Sequence, residues 1–575
     1  MESKWMLYTK RADFEKISAR FHISPVLARI IINRDIKEED FSLYLKSDLS
    51  LMHDAGRLYG VEDAYNEIMS EIKKGNKIRV VGDYDIDGVC SSYILVKSLR
   101  RFGANADVRI PDRIKDGYGI NDNIINEAAN DKISMIITCD NGIAAHSQME
   151  LARKLGIKVI ITDHHEVYQE EGKDYLPVAD VVINPKRSEC KYPFKSICGA
   201  LVAYKLMEYM YERLYGKKMY EDGELSDLLE VAAIATIGDV MPLVDENRVL
   251  VKHGLKSLLN TKNLGLRALI KATGMEGKKI SAYSIGFVIG PCLNAGGRLE
   301  NALVALNMFM SESSDEANEY AIHLKELNDE RKDLTAMNVK VAVELAEIEY
   351  SDDDILVIYL ENCHESIAGI IAGRVREALG KPTIILTDAF GEDGMIKGSG
   401  RSIESYNMFE ALYEVKDIFE KFGGHHMAAG MSLKKDRLDE FRKRLNENSK
   451  LTKEDFIQKI WIDVPLPFSY ISHDFVRELE KLEPYGNKNE KPKFARKGIK
   501  ILSKNILGKN KNVVKMVLED DGTRLDGIYF CDGEAFFEEL KGNNEIDIIY
   551  YPDINEYGGR ESLQVIITGY KIKNI

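Results

Sequence analysis

Three aspartates stand at alternate positions in Val80-Val81-Gly82-Asp83-Tyr84-Asp85-Ile86-Asp87-Gly88, directly after a β-branched run. Carboxylates crowded into a crevice cost several kcal/mol each unless paired, and a divalent cation neutralises more than one at a time. A solvated Asp-rich loop would carry the same letters. Three more groups argue against that plain reading: Asp140 in Thr138-Cys139-Asp140-Asn141-Gly142, the run Asp163-His164-His165, and Asp239 in Ile237-Gly238-Asp239-Val240. Each follows an apolar segment. Four carboxylates, Asp85, Asp87, Asp140 and Asp239, would balance two divalent cations. A carboxylate shared by two ions suits a pair about 3.5–4 Å apart, the spacing that activates water against phosphorus. Imidazole among carboxylates suits Mn2+ better than purely oxygen ligation would, and Mg2+ is also accommodated.

These residues need a scaffold that brings separate segments to one edge. Residues 77–83, 134–140 and 157–163 are short β-branched runs, each ending in Asp, with helix-like stretches between them. With 107–110 and 179–184 they predict βαβ units and a buried parallel sheet. Ligands bind beyond the carboxyl ends of such strands, where the acidic residues fall. An Ala- and Leu-rich helical zone follows from about 200 to 345 and closes in a charged segment with apolar residues at three- and four-residue spacing. That spacing predicts a long amphipathic connecting helix; unsustained heptads argue against a coiled-coil seam. A second, smaller α/β unit begins at 354–360 and ends near Leu445. From about 458 alternating segments predict a mostly β barrel of the oligonucleotide-binding kind, though strand spacing fits other small barrels equally.

A chain of 575 residues exceeds one hydrophobic core. The division expected is an N-terminal segment (1–70), the sheet domain carrying the Asp and His motifs (71–310), the connecting helix (311–350), the second α/β domain (351–447) and the barrel (455–575). The N-terminus shows no signal-like apolar run and no segment is long enough to span a bilayer, so a soluble, cytoplasmic protein is expected, with no membrane partner. Seven cysteines without a CxxC pair read as reduced, mostly buried thiols. A net charge of −14 excludes a wholly basic nucleic-acid binder. Charge is nevertheless local: eleven Lys and Arg against Glu483 and Glu490 lie between Lys481 and Lys515, where an anionic partner would dock.

The motif set resembles that of the DHH phosphoesterases. That resemblance implies metal ligation by Asp85, Asp87, Asp140, His164 and Asp239, support of the site by Asp83, contact of His165 with the scissile phosphate, and orientation of an imidazole by Asp163. Some members carry a His where this chain has Val81, which leaves one cation with fewer protein ligands.

Further segments resemble the RecJ exonucleases within that family: Pro111-Asp112-Arg113 leading into Gly117-Tyr118-Gly119, Asn294-Ala295-Gly296-Gly297-Arg298-Leu299, and Gly398-Ser399-Gly400-Arg401-Ser402. By resemblance Arg113, Arg298, Ser399 and Arg401 hold a terminal 5′ phosphate. Phe422 to Gly430, with Gly423, Gly424 and His425, looks like the glycine-rich signature of the DHHA1 domain, with His426 at a position usually occupied by a small residue. Cys363-His364-Glu365-Ser366 resembles another DHHA1 motif, Ser366 replacing glycine, and is expected to start a helix. The resemblance covers about residues 20–570. It implies an α/β protein with DHH, DHHA1 and oligonucleotide-binding modules. It further implies a two-metal 5′-to-3′ exonuclease for single-stranded DNA in repair and recombination, with single-strand-binding protein and a helicase as partners. Two other readings stand beside it: a DHH phosphodiesterase for short oligonucleotides or nucleotide phosphates, and a non-catalytic DNA-binding scaffold.

Overall fold

The computed structural model describes residues 3–572, which form two compact units. One comprises 52–241 and 253–458; the other comprises 3–51, 242–252 and 459–572.

The first unit is organised by five parallel strands: β1 (Lys77–Val81), β2 (Asn105–Arg109), β3 (Met135–Cys139), β4 (Lys158–Thr162) and β5 (Val181–Ile183). Their order is β2-β1-β3-β4-β5. β3 is buried at every position, as expected of a strand covered on both faces. The chain leaves β1 toward one neighbour, β2, and later returns to the other, β3. Such a reversal opens a crevice at the carboxyl ends of β1 and β3, and the Asp83–Asp87 loop and Asp140 border it. The loop feeds α1 (Ile86–Arg101), whose N-cap is Asp85: one side-chain oxygen accepts from the Asp87 and Gly88 N–H groups at 2.9 and 3.1 Å.

Three more helices close around the crevice. α2 (Gly199–Tyr215) starts against Asp140, α3 (Asp227–Gly238) ends at Asp239, and α4 (Gly290–Leu299) runs beside the Asp83–Asp87 loop. Asn294 on α4 accepts from the Ile86 N–H at 2.9 Å. Gly297 lies so close that a Cβ there would stand 2.2 Å from the Tyr84 carbonyl oxygen. The amphipathic connection is α5 (Ser314–Ile348), 35 residues long. Asn328 of α5 donates to Cys292 of α4, and Ala342 and Ala346 enter the core of the following lobe.

That lobe holds β6 (Leu356–Tyr359), α6 (Ala368–Leu379), β7 (Thr383–Asp388), β8 (Met395–Arg401), β9 (Phe419–His425) and β10 (Ala428–Lys434). Its sheet order is β9-β10-β8-β7-β6, and only the β6/β7 pair is parallel. His364 caps the turn before α6, its Nδ1 accepting from the Ser366 N–H, as expected of a helix start.

The second unit contains a closed barrel formed by β12 (Phe494–Leu507), β13 (Val513–Asp520), β14 (Thr523–Phe530), β15 (Glu545–Tyr557) and β16 (Arg560–Ile572). The short β11 (Val464–Pro465) lies beside β12. β12 pairs with both β13 and β15, which closes the sheet. Residues 1–70 do not behave as one segment: residues 3–51 pack with the barrel, whereas Val61–Lys73 belongs to the first unit. The reason is apolar: Ile17, Leu27 and Phe41 share a core with Phe494, Val514 and Tyr550. Arg248, fully buried in the same unit, donates to the carbonyls of Tyr44, Leu482 and Lys481 at 2.8–2.9 Å.

The basic run is less available than its letters suggest. Lys493 pairs with Glu490, Arg496 with Asp520 and Asp521, Lys511 with Glu534 and Lys515 with Asp526. All seven cysteines are free, and six are buried. Among the described residues no helix is long and apolar enough to cross a membrane.

Gly297→Ala is expected to cost about 1–3 kcal/mol because the added methyl meets backbone, lowering the thermal midpoint. Gly423→Ala, with nothing within 4 Å of its Cβ, is expected to stay within about 0.5 kcal/mol. Calorimetry on both variants checks this; equal midpoints would show that the α4 contact has slack.

Candidate active site

Five carboxylates converge beyond β1 and β3. Asp83, Asp87 and Asp140 are almost completely buried, and the Asp239 side chain is 29% exposed. The oxygens of Asp83, Asp85 and Asp140 lie within 4.8 Å of one another; so do the ligand atoms of Asp87, His164 and Asp239, and those of Asp140, His164 and His165. Asp140 thus joins the loop carboxylates to the imidazoles. His164 Nε2 is 3.1 Å from Asp140, 3.6 Å from Asp87 and 3.7 Å from Asp239.

Backbone geometry aims these groups. Asp140 sits in the left-handed region (φ 59°), a conformation that costs most residues but that Asp and Asn tolerate. Its carbonyl accepts from the Tyr118 hydroxyl at 2.8 Å. Asp87 accepts from the Gly199 and Ala200 N–H groups at 2.6 and 2.8 Å, at the positive end of α2. Only glycine fits at 199, because a Cβ would lie 2.8 Å from that of Asp140.

Electrostatics mark the cluster as incomplete without cations. Burial, then the charge of Asp85, pushes Asp83 up to about 8; burial, then Asp87 and Asp85, does the same to Asp239. Asp87 and Asp140 are also raised, chiefly by burial. Burial lowers His164, leaving it neutral and able to ligate. An oxygen of Asp239 and Nδ1 of His164 are buried without a hydrogen-bond partner. Hard oxygens, one neutral imidazole and excess negative charge fit divalent cations, and Asp140 belongs to two of the three groups. Asp83, expected only as support, lies close enough to the Asp85 and Asp140 oxygens to share an ion.

Asp163 and His165 form a separate device. Asp163 accepts from the Ile143, His164 and His165 N–H groups and lies 2.8 Å from His165 Nδ1. Burial alone would raise the Asp163 carboxyl, but the contact with His165 and these N–H groups hold it low. Burial likewise opposes charge on His165, yet Asp163 carries the ring up to about 9. That shift favours the protonated ring at neutral pH, and the His165 side chain is about half exposed.

A second set of expected residues lines a cavity of about 970 Å³ in the same unit: Arg113, Arg298, Ser399, Arg401, Gly423 and Gly424. Arg298 donates to the Ser366 carbonyl at 2.7 Å, and Arg401 to the Ser399 hydroxyl at 2.8 Å. Arg113 stacks on Tyr84 at 4.5 Å. Burial, then the charges of Arg113 and Arg331, pulls Arg298 down to about 9; crowded, desolvated guanidiniums call for an anion. His425, expected with this group, is exposed opposite Ala428 and does not line the cavity. Tyr84 ties the two sites together: its backbone lies in the Asp loop and its ring carries Arg113.

Four contributors had no role assigned from sequence: Tyr84, Tyr118, Asn294, and the backbone of Gly199 and Ala200. Tyr118 and Asn294 lie inside motifs that were legible. The start of α2 carries no side-chain signal at all.

A parallel sheet with carboxylates and a His pair at its switch point, followed by a small mostly antiparallel lobe, defines a DHH-type phosphoesterase, a class of metal-dependent hydrolases. The description "DHH family, N-terminal domain" matches residues 77–236, "DHHA1 domain" 352–450 and "RecJ OB domain" 462–569. A Bacillus subtilis protein named single-stranded-DNA-specific exonuclease RecJ is 36% identical over 99% of this chain and 71% of its own length. The Escherichia coli protein of the same name is 32% identical over 95% of both. A crystal structure of RecJ in complex with Mn2+ from Thermus thermophilus covers all of this chain and 80% of that one, with TM-score 0.84 and 25% identity. The chain belongs to the RecJ family.

A carboxyl near 8 in the folded chain and about 3.9 unfolded holds its proton more tightly when folded. Stability of the cation-free protein therefore falls as pH rises from about 4 to about 8, and cation binding must expel those protons. Mn2+ should bind more tightly at pH 8 than at pH 6, raise the thermal midpoint more at pH 8, and release protons to the buffer. Titration calorimetry in two buffers of different ionisation enthalpy measures this; equal affinity at both pH values would reject the carboxylate assignment.

Proposed function

We propose that this chain is a single-stranded-DNA-specific exonuclease that works from the 5′ end and releases 5′ mononucleotides, using two divalent cations, Mn2+ or Mg2+. One observation carries the reading: a carboxylate and imidazole cluster sharing Asp140 and an arginine-lined cavity are tied together through Tyr84. A cluster of this kind hydrolyses a phosphodiester, and a cavity of that kind holds a terminal phosphate beside it. The names of the Bacillus subtilis and Escherichia coli relatives support the substrate.

Asp83, Asp85, Asp87, Asp140, His164 and Asp239 would hold the cations, which would supply a nucleophilic water and offset charge on the phosphate oxygens. Arg113, Arg298, Ser399 and Arg401 hold the 5′ phosphate in charge-assisted hydrogen bonds. Gly423 and Gly424 let the strand end approach backbone. His165, protonated and oriented by Asp163, stabilises charge on the scissile phosphate and delivers a proton to the departing 3′ oxygen. Phosphorus gains a bond to the water oxygen and loses the bond to O3′. The barrel would track a longer strand through its surface, which favours long substrates over short oligonucleotides. A non-catalytic scaffold would not need the full ligand set present here. Action in repair and recombination in the cytoplasm, alongside single-strand-binding protein and a helicase, belongs to the same proposal.

Asp140→Asn keeps the left-handed backbone and removes the shared charge. Hydrolysis is expected to disappear while circular dichroism is unchanged; comparable turnover would remove Asp140 from the site.

Arg401→Ala is expected to reduce the preference for 5′-phosphorylated over 5′-hydroxyl strands by about tenfold or more, from the loss of about 1.5–3 kcal/mol of charged hydrogen bonding. Mn2+ binding should persist. End-labelled strands read both preference and direction, and release of labelled mononucleotide first from the 3′ end would overturn the polarity.

A further inference from the structure

The cavity that takes the 5′ phosphate does not stop at Arg401. Arg401, Ser399 and Lys397, alternate residues of β8, all line it. Across the sheet Ser399 pairs with Gly430 and Gly430 with Gly423, while Lys397 pairs with Ser432 and Ser432 with Lys421. Three parallel rows result. The middle row, Ser399-Gly430-Gly423, is bare, with nothing within 4 Å of a Cβ at either glycine. The far row, Lys397-Ser432-Lys421, presents two ammonium groups and a hydroxyl along the same cavity.

Rows on one face of a strand are about 6.6 Å apart. A phosphate on Arg298, Ser399 and Arg401 therefore leaves open, cation-flanked space one repeat away, and a chain of two further phosphates joined by anhydride links spans about that distance. Lys397 is held 2.9 Å from Glu392 and 3.9 Å from Glu365. Lys421, on the exposed rim, makes no ion pair within 4 Å among the described residues. Lysine suits this duty, since a flexible point charge follows a mobile polyphosphate better than a rigid fork does.

We propose that the Lys397-Ser432-Lys421 row is a second anion position that admits DNA strands whose 5′ end carries a triphosphate. This rests on the reading of the Arg298 and Arg401 region as the 5′-phosphate site. The first turnover on such a strand adds water to the phosphorus of the first internucleotide linkage, breaks its bond to O3′ and passes a proton to that oxygen. The terminal anhydrides stay intact, so the first product is a nucleoside 5′-triphosphate and the remaining strand carries an ordinary 5′ phosphate.

The test uses the full chain with Mn2+ and one oligonucleotide sequence ending in 5′-hydroxyl, 5′-monophosphate or 5′-triphosphate, the last labelled at the γ position. Wild type should release the label as nucleoside triphosphate. Lys421→Ala and Lys397→Ala should each raise the dissociation constant for the triphosphate strand by about tenfold, leaving the monophosphate strand within about twofold. Lys421→Met, which keeps the aliphatic stem without the charge, should behave like the alanine variant. Free nucleoside triphosphate should compete weakly, because it lacks the strand's other contacts; competition as strong as the triphosphate strand's would mean that the row binds free nucleotide and would overturn the strand-end assignment. Label released as inorganic phosphate or pyrophosphate, refusal of the triphosphate strand, or equal loss of all three strands in the lysine variants would also overturn it. If wild type failed to prefer monophosphate over hydroxyl, the 5′-phosphate site itself would be wrong, an outcome distinct from failure of the lysine row alone.

Discussion

Mutual repulsion among buried carboxylates is the constraint around which the first unit is built. Asp83, Asp87, Asp140 and Asp239 each shift toward the neutral form because water has been removed and like charge is near. Such a cluster persists only where other features offset its cost. Two backbone N–H groups at the start of α2 serve Asp87, a capping role serves Asp85, and the unpartnered oxygen of Asp239 and the Nε2 of His164, which faces three carboxylates, are left for cations. Protein supplies part of the compensation; metal must supply the rest. Cation affinity and proton binding are therefore coupled in this fold.

The same loop that carries the carboxylates also contacts the arginine-lined cavity. Gly297 presses on the Tyr84 carbonyl, Asn294 holds the Ile86 N–H, and the ring of Tyr84 carries Arg113. Arg298 follows Gly297 directly on α4. A displacement of α4 would thus move the carboxylate loop and Arg298 together, which on the proposed reading keeps the register between scissile bond and strand end. Uncompensated positive charge in one pocket faces uncompensated negative charge in the other, and a phosphodiester strand with its cations satisfies both.

The second unit is assembled from three separated stretches of chain. Helices near the N-terminus contribute Ile17, Leu27 and Phe41 to the barrel's core, and Arg248 ties its own segment to carbonyls on both sides. Truncation near residue 455 would consequently strip apolar faces from residues 3–51 as well as remove the barrel. Loss of DNA affinity in such a truncation could not be ascribed to the barrel alone.

The acidic and imidazole residues, the strand ends that bear them and the long helix Ser314–Ile348 were determined by the sequence itself, because each depends on local periodicity or on residues a few positions apart. Asp140 and the Asp163-His164-His165 run were legible in this way. Tertiary structure alone decided the rest. The β2-β1-β3-β4-β5 order, which places Asp140 beside the Asp83–Asp87 loop, arises from pairing between distant segments. The left-handed turn at Asp140 and the Gly199 and Ala200 donors are backbone properties without a side-chain signature. The adoption of residues 3–51 by the barrel, and the cross-strand rows that put Lys397 and Lys421 on one face, follow from register. Register and long-range packing are set by which apolar surfaces meet, and a linear pattern shows that a face exists without showing what it will cover.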